Sequence, residues 1–299
     1  MHIASLLPSA TEIICDLGLE SQLVAVSHAC DRPAGVTNLP VLTRSIIGYD
    51  LPPAEIDKAV SAAMRQGTPL YHVKAELLAQ LAPDLIVTQG VCEVCAVTPG
   101  TIQEAVRYLP DCLPSGGRLL SLEGRTLAGI LADVCAVAQA AGVAERGEAL
   151  TQQATRRWQA IDAATHAPKV LTLEWTEPPF TGGHWVPEQV ERAGGVNVFG
   201  APGHDSQRST WEAIGASDPD VIVVMCCGYG LPENAGFASE LLEHPQAGAL
   251  RAVRERQLWA VDANAQFSRP ALGVVRGAEV LAALLRGQAL PDESVRIGI

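Results

Sequence analysis

What this 299-residue chain lacks excludes several kinds of protein at once. No apolar run approaches the roughly 18 to 20 residues of a membrane-spanning helix, so membrane insertion is not expected. Lysine and arginine number 21 against 33 acidic residues, a net charge of -12. Phosphate binding relies on clustered cations, so a nucleic acid or an anionic membrane is a poor partner, and a small molecule or a basic protein patch is a better one. G-x-G-x-x-G, a Walker loop, G-x-S-x-G and H-E-x-x-H are all missing, so no enzyme and no required cofactor are expected. No charged leader or lipidated-cysteine signal precedes the first apolar run, Ile3 to Leu7, which halts at Pro8. The expectation as the sequence stands is a cytoplasmic protein, or a periplasmic or cell-surface one if the start is trimmed or misassigned. The eight cysteines lie scattered in apolar contexts, without the density of a disulfide-stapled domain. Cys15, Cys112 and Cys135 read as buried thiols.

What is present is an internal echo. Glu76 to Val87 contains a helical stretch closed by Pro83-Asp84 and followed by an apolar strand, and Glu212 to Val223 repeats it with Pro219-Asp220. Two copies predict two similar lobes. The first half alternates strand (Ile3 to Leu7), helix (Ala10 to Leu17), strand (Leu23 to Ser27), helix (Pro53 to Gln66), the echo unit, helix (Pro99 to Leu109) and strand (Arg118 to Leu122). Such alternation predicts a parallel α/β layer. From Thr126 to Thr165 the pattern is helical, interrupted at Gly142. The second half restarts with a strand at Lys169 to Leu173 and a helix at Pro187 to Ala193. Its echo unit precedes helices at Ala235 to Leu242, Gln246 to Glu255 and Ala271 to Arg286 and a strand at Gln257 to Val261. The expected division is an N-terminal α/β lobe (1–123), a helical connector (124–166) and a C-terminal α/β lobe (167–299), each lobe Rossmann-like with a mainly parallel sheet.

Ligands of open α/β sheets sit beyond the carboxyl ends of the strands, so the residues there are the candidates. They are Pro8 and Ser9 after the first strand, His28 and Cys30 after the second, and Gln89, Cys92 and Cys95 after the first echo strand. In the second half they are Trp175, His184, Trp185 and Tyr229. Ser9 and Glu12 have capping-box spacing at a helix start aimed at the cleft, and Ser209 and Glu212 repeat it, while Glu76 has no such partner. Cys92-Glu-Val-Cys95 is the sharpest local motif: the pair could line the cleft, ligate a soft metal or undergo thiol-disulfide exchange. Trp175, Trp185 and Tyr229 fall near predicted loops, where stacking on a planar ligand competes with core packing. His2, His72, His166 and His244 have no motif around them and read as surface or capping residues. Glu76 and Glu212 read either as helix-end residues or as paired anchors for a basic partner.

Ser5-Leu6-Leu7-Pro8-Ser9-Ala10-Thr11-Glu12-Ile13, the two Glu-to-Pro-Asp units and Gly183-His184-Trp185-Val186-Pro187-Glu188 resemble the solute-binding proteins of vitamin B12 and ferric-siderophore ABC importers. The likeness covers nearly the whole chain and is greatest to the vitamin B12-binding members. It implies two α/β lobes joined by a long helix, a monomer, and a corrinoid (cobalamin or cobinamide) or an iron chelate gripped between the lobes. It also implies docking of Glu76 and Glu212 into arginine pockets of an ABC permease, and aromatic contacts from Tyr49, Tyr71, Trp175 and Trp185. Two departures, the missing signal peptide and the Cys92/Cys95 pair, imply an alternative: an intracellular cysteine-based protein binding a metal, haem or corrinoid without coupling to transport.

Overall fold

The computed structural model describes residues 1–48, 51, 53–66, 68–90 and 117–298. It divides the chain into two compact units, Met1–Gly124 with Ala128–Gln153, and Arg125–Leu127 with Ala154–Ile299.

The first unit holds strands β1 (Ile3–Ser5), β2 (Leu23–Ala25), β3 (Thr43–Ser45), β4 (Tyr71–Val73), β5 (Leu85–Gln89) and β6 (Arg118–Leu122). Its helices are α1 (Pro8–Asp16), α2 (Pro53–Gln66), α3 (Ala75–Leu81), α4 (Leu127–Ala140) and the greater part of α5 (Ala144–Gln159). The main sheet has the order β2-β1-β5-β6 with every pair parallel, and β3 and β4 form a separate antiparallel pair. All five residues of β5 are buried, as a central parallel strand covered on both faces requires. Ala4, Leu6, Ala25, Leu42, Leu78 and Ile86 form a core cluster against this sheet, where each fully buried Leu or Ile stabilises the fold by about 2 kcal/mol. The helical stretch expected from Thr126 onward is two helices, α4 and α5, parted at Gly142 with φ +72. The expected helix from Pro99 to Leu109 lies outside the described residues.

The second unit carries β7 (Lys169–Thr176), β8 (Pro179–Thr181), β9 (Val196–Asn197), β10 (Gln207–Arg208), β11 (Val221–Val224), β12 (Leu258–Val261) and β13 (Ser294–Arg296). Its helices are α6 (Val186–Arg192), α7 (Trp211–Ser217), α8 (Leu231–Glu243), α9 (Arg251–Arg254), α10 (Ala263–Gln266) and α11 (Gly273–Leu285). The seven-stranded sheet runs β10-β8-β7-β11-β12-β13, with β9 also on β7. Its centre, β7-β11-β12, is parallel, but β8, β10 and β13 are antiparallel additions on either side that the sequence pattern did not reveal. Strands of two or three residues are too short to show alternation. Helix α11 is buried almost all round, and Gly277 allows it to lie close to its neighbours: a Cβ there would sit 2.4 Å from Gln189 Nε2. The buried Gln189 amide spans that contact, donating to the carbonyls of Gln266 at 3.0 Å and Val274 at 2.8 Å.

The helix expected at Gln246 to Glu255 shrinks to the four residues of α9. The preceding segment is a turn capped by His244, whose Nδ1 accepts from the amides of Gln246 and Ala247, so the capping reading of His244 holds. Gly248 packs where a Cβ would meet the Leu242 carbonyl at 2.6 Å.

The echo has a common structural cause. α3 and α7 both have seven residues and both end in a left-handed residue, Ala82 (φ 41) and Asp218 (φ 46), just before Pro-Asp. The aspartate then staples its strand to the first strand of its own sheet. Asp84 accepts from the His2 amide at 2.7 Å and donates its own amide to the His2 carbonyl at 2.9 Å. Asp220 does the same with Lys169, at 2.7 and 2.8 Å.

Candidate functional site

At the carboxyl end of the first sheet, α1 begins at Pro8, with Leu7 as the extended N-cap and no side-chain cap. The capping box expected from Ser9 and Glu12 is therefore not made. Proline has no N–H to lose and its fixed φ suits the first helical position, so the helix starts one residue before Ser9 and carries Ser9 inside it. Ser9 is buried, and its Oγ has no partner among the described residues. Cys30 is also buried, its Sγ 3.1 Å from both Thr11 Oγ1 and Ser27 Oγ.

His28 is half-buried and held by Thr43, whose Oγ1 accepts the His28 amide at 2.9 Å and lies 2.6 Å from Nδ1. Burial, with Lys74 adding to it, lowers the His28 pKa, and the Tyr71 ring lies 5.5 Å away on β4. Gln89 ends β5 and is almost fully buried. His28, Tyr71, Cys30, Gln89, Pro8 and Ser9 thus all belong to this unit, while Tyr49, Cys92 and Cys95 lie outside the described residues. Among the described residues no group of three metal-ligating side chains exists. Burial pushes the Cys15 and Cys226 thiols up to about 12, which makes them poor nucleophiles and poor metal ligands.

In the second unit β7 runs on to Thr176, three residues past its expected end, so Glu174 and Trp175 lie in a strand and not a loop. Strand alternation then places Leu171, Leu173 and Trp175 on one face, where Trp175 packs partly against the core. The Tyr229 ring lies 5.9 Å from Trp175, and Phe237 meets Tyr229 edge-on at 5.0 Å. Burial raises the Tyr229 pKa. All three rings are partly exposed. Trp185 is placed differently: it is 7% exposed and donates its indole N–H to the Phe267 carbonyl at 2.8 Å, so the structure gives it a packing role.

The opposite face of β7 carries Glu174. Its carboxylate accepts the Gly183 amide at 3.1 Å and the Ser206 hydroxyl, and its carbonyl accepts the Cys227 amide. His184 follows, with Nε2 3.3 Å from the Asp205 carboxylate, which also pairs with Arg125. Burial lowers the His184 pKa; Asp205 opposes that shift and Arg125 assists it. Sequence reading selected His184 and noted Glu174 beside Trp175 at the strand end, but missed Arg125, Asp205 and Ser206. Asp205 and Ser206 stand far from the others along the chain, with no spacing pattern to link them.

Glu76 and Glu212 occupy the same second position of α3 and α7, and both are exposed. The cap of α7 is Thr210, accepting from Ala213 at 3.2 Å, and not Ser209. The Ser209 amide is held back by the Pro179 carbonyl at 2.8 Å beyond β10, so the helix begins one residue later than expected. The Glu212 pKa is lowered by its own backbone amide, by Gln246 Nε2 at 2.7 Å and by Thr210. Glu76 makes no side-chain hydrogen bond among the described residues.

No curated protein sequence matches the chain significantly. Solved structures share its fold. The periplasmic vitamin B12 binding protein BtuF of Vibrio cholerae is 21% identical with a TM-score of 0.64, covering 95% of this chain and 96% of that one. The periplasmic heme binding protein HutB of Vibrio cholerae is 23% identical with a TM-score of 0.70 over 95% and 98%. A periplasmic heme binding protein of Pseudomonas aeruginosa is 20% identical with a TM-score of 0.69 over 99% of each chain. No helix among the described residues is long and apolar enough to cross a membrane, and the expectation of a cytoplasmic location finds no support in these likenesses. The sequence profile of the periplasmic binding proteins matches residues 3–265, and the chain belongs to that family, whose members bind a solute and do not transform it.

Proposed function

We propose that this protein captures a planar metal macrocycle, a corrinoid such as cobalamin or cobinamide first, outside the cytoplasmic membrane and delivers it to an ABC permease. The observation that carries this reading is the partly exposed run of rings Trp175, Tyr229 and Phe237 at the carboxyl end of the second sheet. Flat side chains at a strand end offer a large contact area to a flat ligand at little entropic cost. The first unit, taken by itself, has His28 and Tyr71 side by side at its own strand ends. The exposed carboxylates Glu76 and Glu212, equivalently placed on two helices, suit bidentate pairing with permease arginines. Among the fold relatives are a vitamin B12 binding protein and a heme binding protein, which supports a flat metal chelate as the shared chemistry. The His28–Tyr71 pair favours haem as the second reading, because both side chains can ligate iron.

Titration of the purified chain with cobalamin, cobinamide, hemin and a ferric hydroxamate, followed by tryptophan fluorescence, tests the proposal. The expected result is quenching with a Kd below about 1 µM, near -8 kcal/mol, for a corrinoid. Tight binding of hemin alone would replace the corrinoid with haem. No binding below about 100 µM for any of the four would remove the macrocycle reading altogether.

A further inference from the structure

The first turn of α1 is a buried helix end whose donors the described residues do not satisfy. Its N-cap, Leu7, has no side-chain oxygen to offer, and Pro8 at the first helical position has no N–H. The next two amides belong to Ser9 and Ala10, and among the described residues neither has an acceptor. The first amide of the helix to be bonded is that of Thr11, to the Leu7 carbonyl at 3.2 Å. Ser9 is 2% exposed and Ala10 0%, so neither amide is bathed in solvent, while Pro8 beside them is partly exposed. The free N–H groups of a helix start ordinarily go to a cap, to water or to a ligand.

The hydroxyls of this corner show the same deficit at one place. Thr11 Oγ1 donates to Ser5 Oγ at 2.8 Å, and Ser5 Oγ donates to the Leu7 carbonyl at 3.0 Å. Cys30 Sγ lies 3.1 Å from both Thr11 Oγ1 and Ser27 Oγ. Ser5, Thr11 and Ser27 are therefore buried and bonded, and together they fix the shape of the corner. Ser9 is as buried as they are, yet its Oγ has no partner among the described residues. An unpaired buried hydroxyl is costly, so a group that satisfies it on binding gains by doing so. Helical side chains lean toward the N-terminus, which directs the hydroxyl of this second helical residue to the same end as the two amides. Donors without acceptors at the positive end of a helix suit a negatively charged oxygen.

We infer that the first turn of α1 is an oxyanion subsite, in which the Ser9 and Ala10 amides and the Ser9 hydroxyl donate to a phosphodiester or carboxylate carried by the ligand. The inference rests on the macrocycle reading above and deepens it, because it adds an anionic substituent to the flat chelate. It selects among the candidates. Cobalamin carries a phosphodiester in its nucleotide arm and haem carries propionates, whereas cobinamide has neither.

Titrations of the full chain, followed by tryptophan fluorescence, compare cyanocobalamin with cobinamide, and hemin with its dimethyl ester, whose carboxylates are masked. The chain is expected to bind the anionic member of one pair at least tenfold more tightly than the other member, ~1.4 kcal/mol. The pair that shows the preference tells phosphodiester from carboxylate. Ser9→Ala should cut that preference to less than about threefold. The same variant, free of ligand, should unfold at a temperature no lower than the wild type, because the hydroxyl it loses is unpaired. Equal affinities within both pairs, or a full preference that survives in Ser9→Ala, overturn the inference and leave the macrocycle reading standing. A lowered unfolding temperature in Ser9→Ala assigns the hydroxyl to the fold and overturns it as well. Failure of all four compounds to quench removes the inference and the macrocycle reading together.

Discussion

The helix-to-strand corners at Ala75–Gln89 and Trp211–Val224 repeat each other in sequence and in backbone, yet they are secured differently. In both, a left-handed residue, a proline and a stapling aspartate turn a seven-residue helix into a parallel strand. In the second corner Arg251 donates to Asp218 and Asp220, Thr210 caps the helix, and Gln246 holds Glu212. Among the described residues the first corner has no counterpart of the Thr210 cap or of the Gln246 contact. A shared motif therefore specifies a shared geometry, while the stability of each copy depends on residues that lie outside the motif.

The largest test of that difference is removal of the staples. Asp220→Ala should cost about 1.5–2 kcal/mol, since it deletes a largely exposed, solvent-screened hydrogen bond to Arg251 together with the staple, whereas Asp84→Ala should cost about 1–1.5 kcal/mol. Urea unfolding measures both, and equal losses would mean that Arg251 adds nothing. The acid limb sharpens the same point. Arg251 first, then the Lys169 amide, depress the Asp220 pKa in the folded state. Its contribution is therefore present above the unfolded carboxylate value and lost as pH falls through the lowered folded value. Asp220→Ala should flatten the fall in stability below about pH 4.

Capping comes next in size. Thr210→Ala should destabilise by about 1 kcal/mol, Ser209→Ala by under about 0.5, and Lys74→Ala at the equivalent cap of α3 by under about 0.5. Thermal unfolding of the three variants ranks them, and a loss at Ser209 as large as at Thr210 would reassign the cap. The smallest effects on stability are expected at the exposed glutamates. Glu76→Lys should change unfolding least and Glu212→Lys slightly more, because only the latter loses bonds at a helix N-terminus. If both dock, each reversal should nevertheless weaken association with the permease in nanodiscs at least tenfold. Unchanged association in both would leave the two glutamates as helix-end residues alone.

Much of the architecture could be read from pattern. β6 was expected at Arg118–Leu122 and is found there, α4 and α5 part at Gly142, and β5 and β11 are the buried runs that follow each Pro-Asp. These features are legible because periodicity, proline and glycine act over a few residues. Expectations failed where an adjacent residue or a distant segment competes for the same position. Ser9 lost its cap role to Pro8 at the first helical position, and Ser209 was drawn to Pro179. Trp175 moved from a loop to the core face of a strand extended by pairing with β8.

The candidate site divides in the same way. Sequence position alone put His28, Gln89, Trp175, His184 and Tyr229 near strand ends, because α/β connectivity determines where strands stop. Tertiary structure alone decided that Trp185 is committed to Phe267, that Trp175 and Tyr229 approach each other, and that Asp205 faces His184. The echo likewise determined two like corners through local backbone preferences. How firmly each is held was decided by Arg251, Thr210 and Gln246. Arg251 and Gln246 lie some thirty residues from the acids they bind, and such long-range pairing follows from packing and leaves no periodic mark in a sequence.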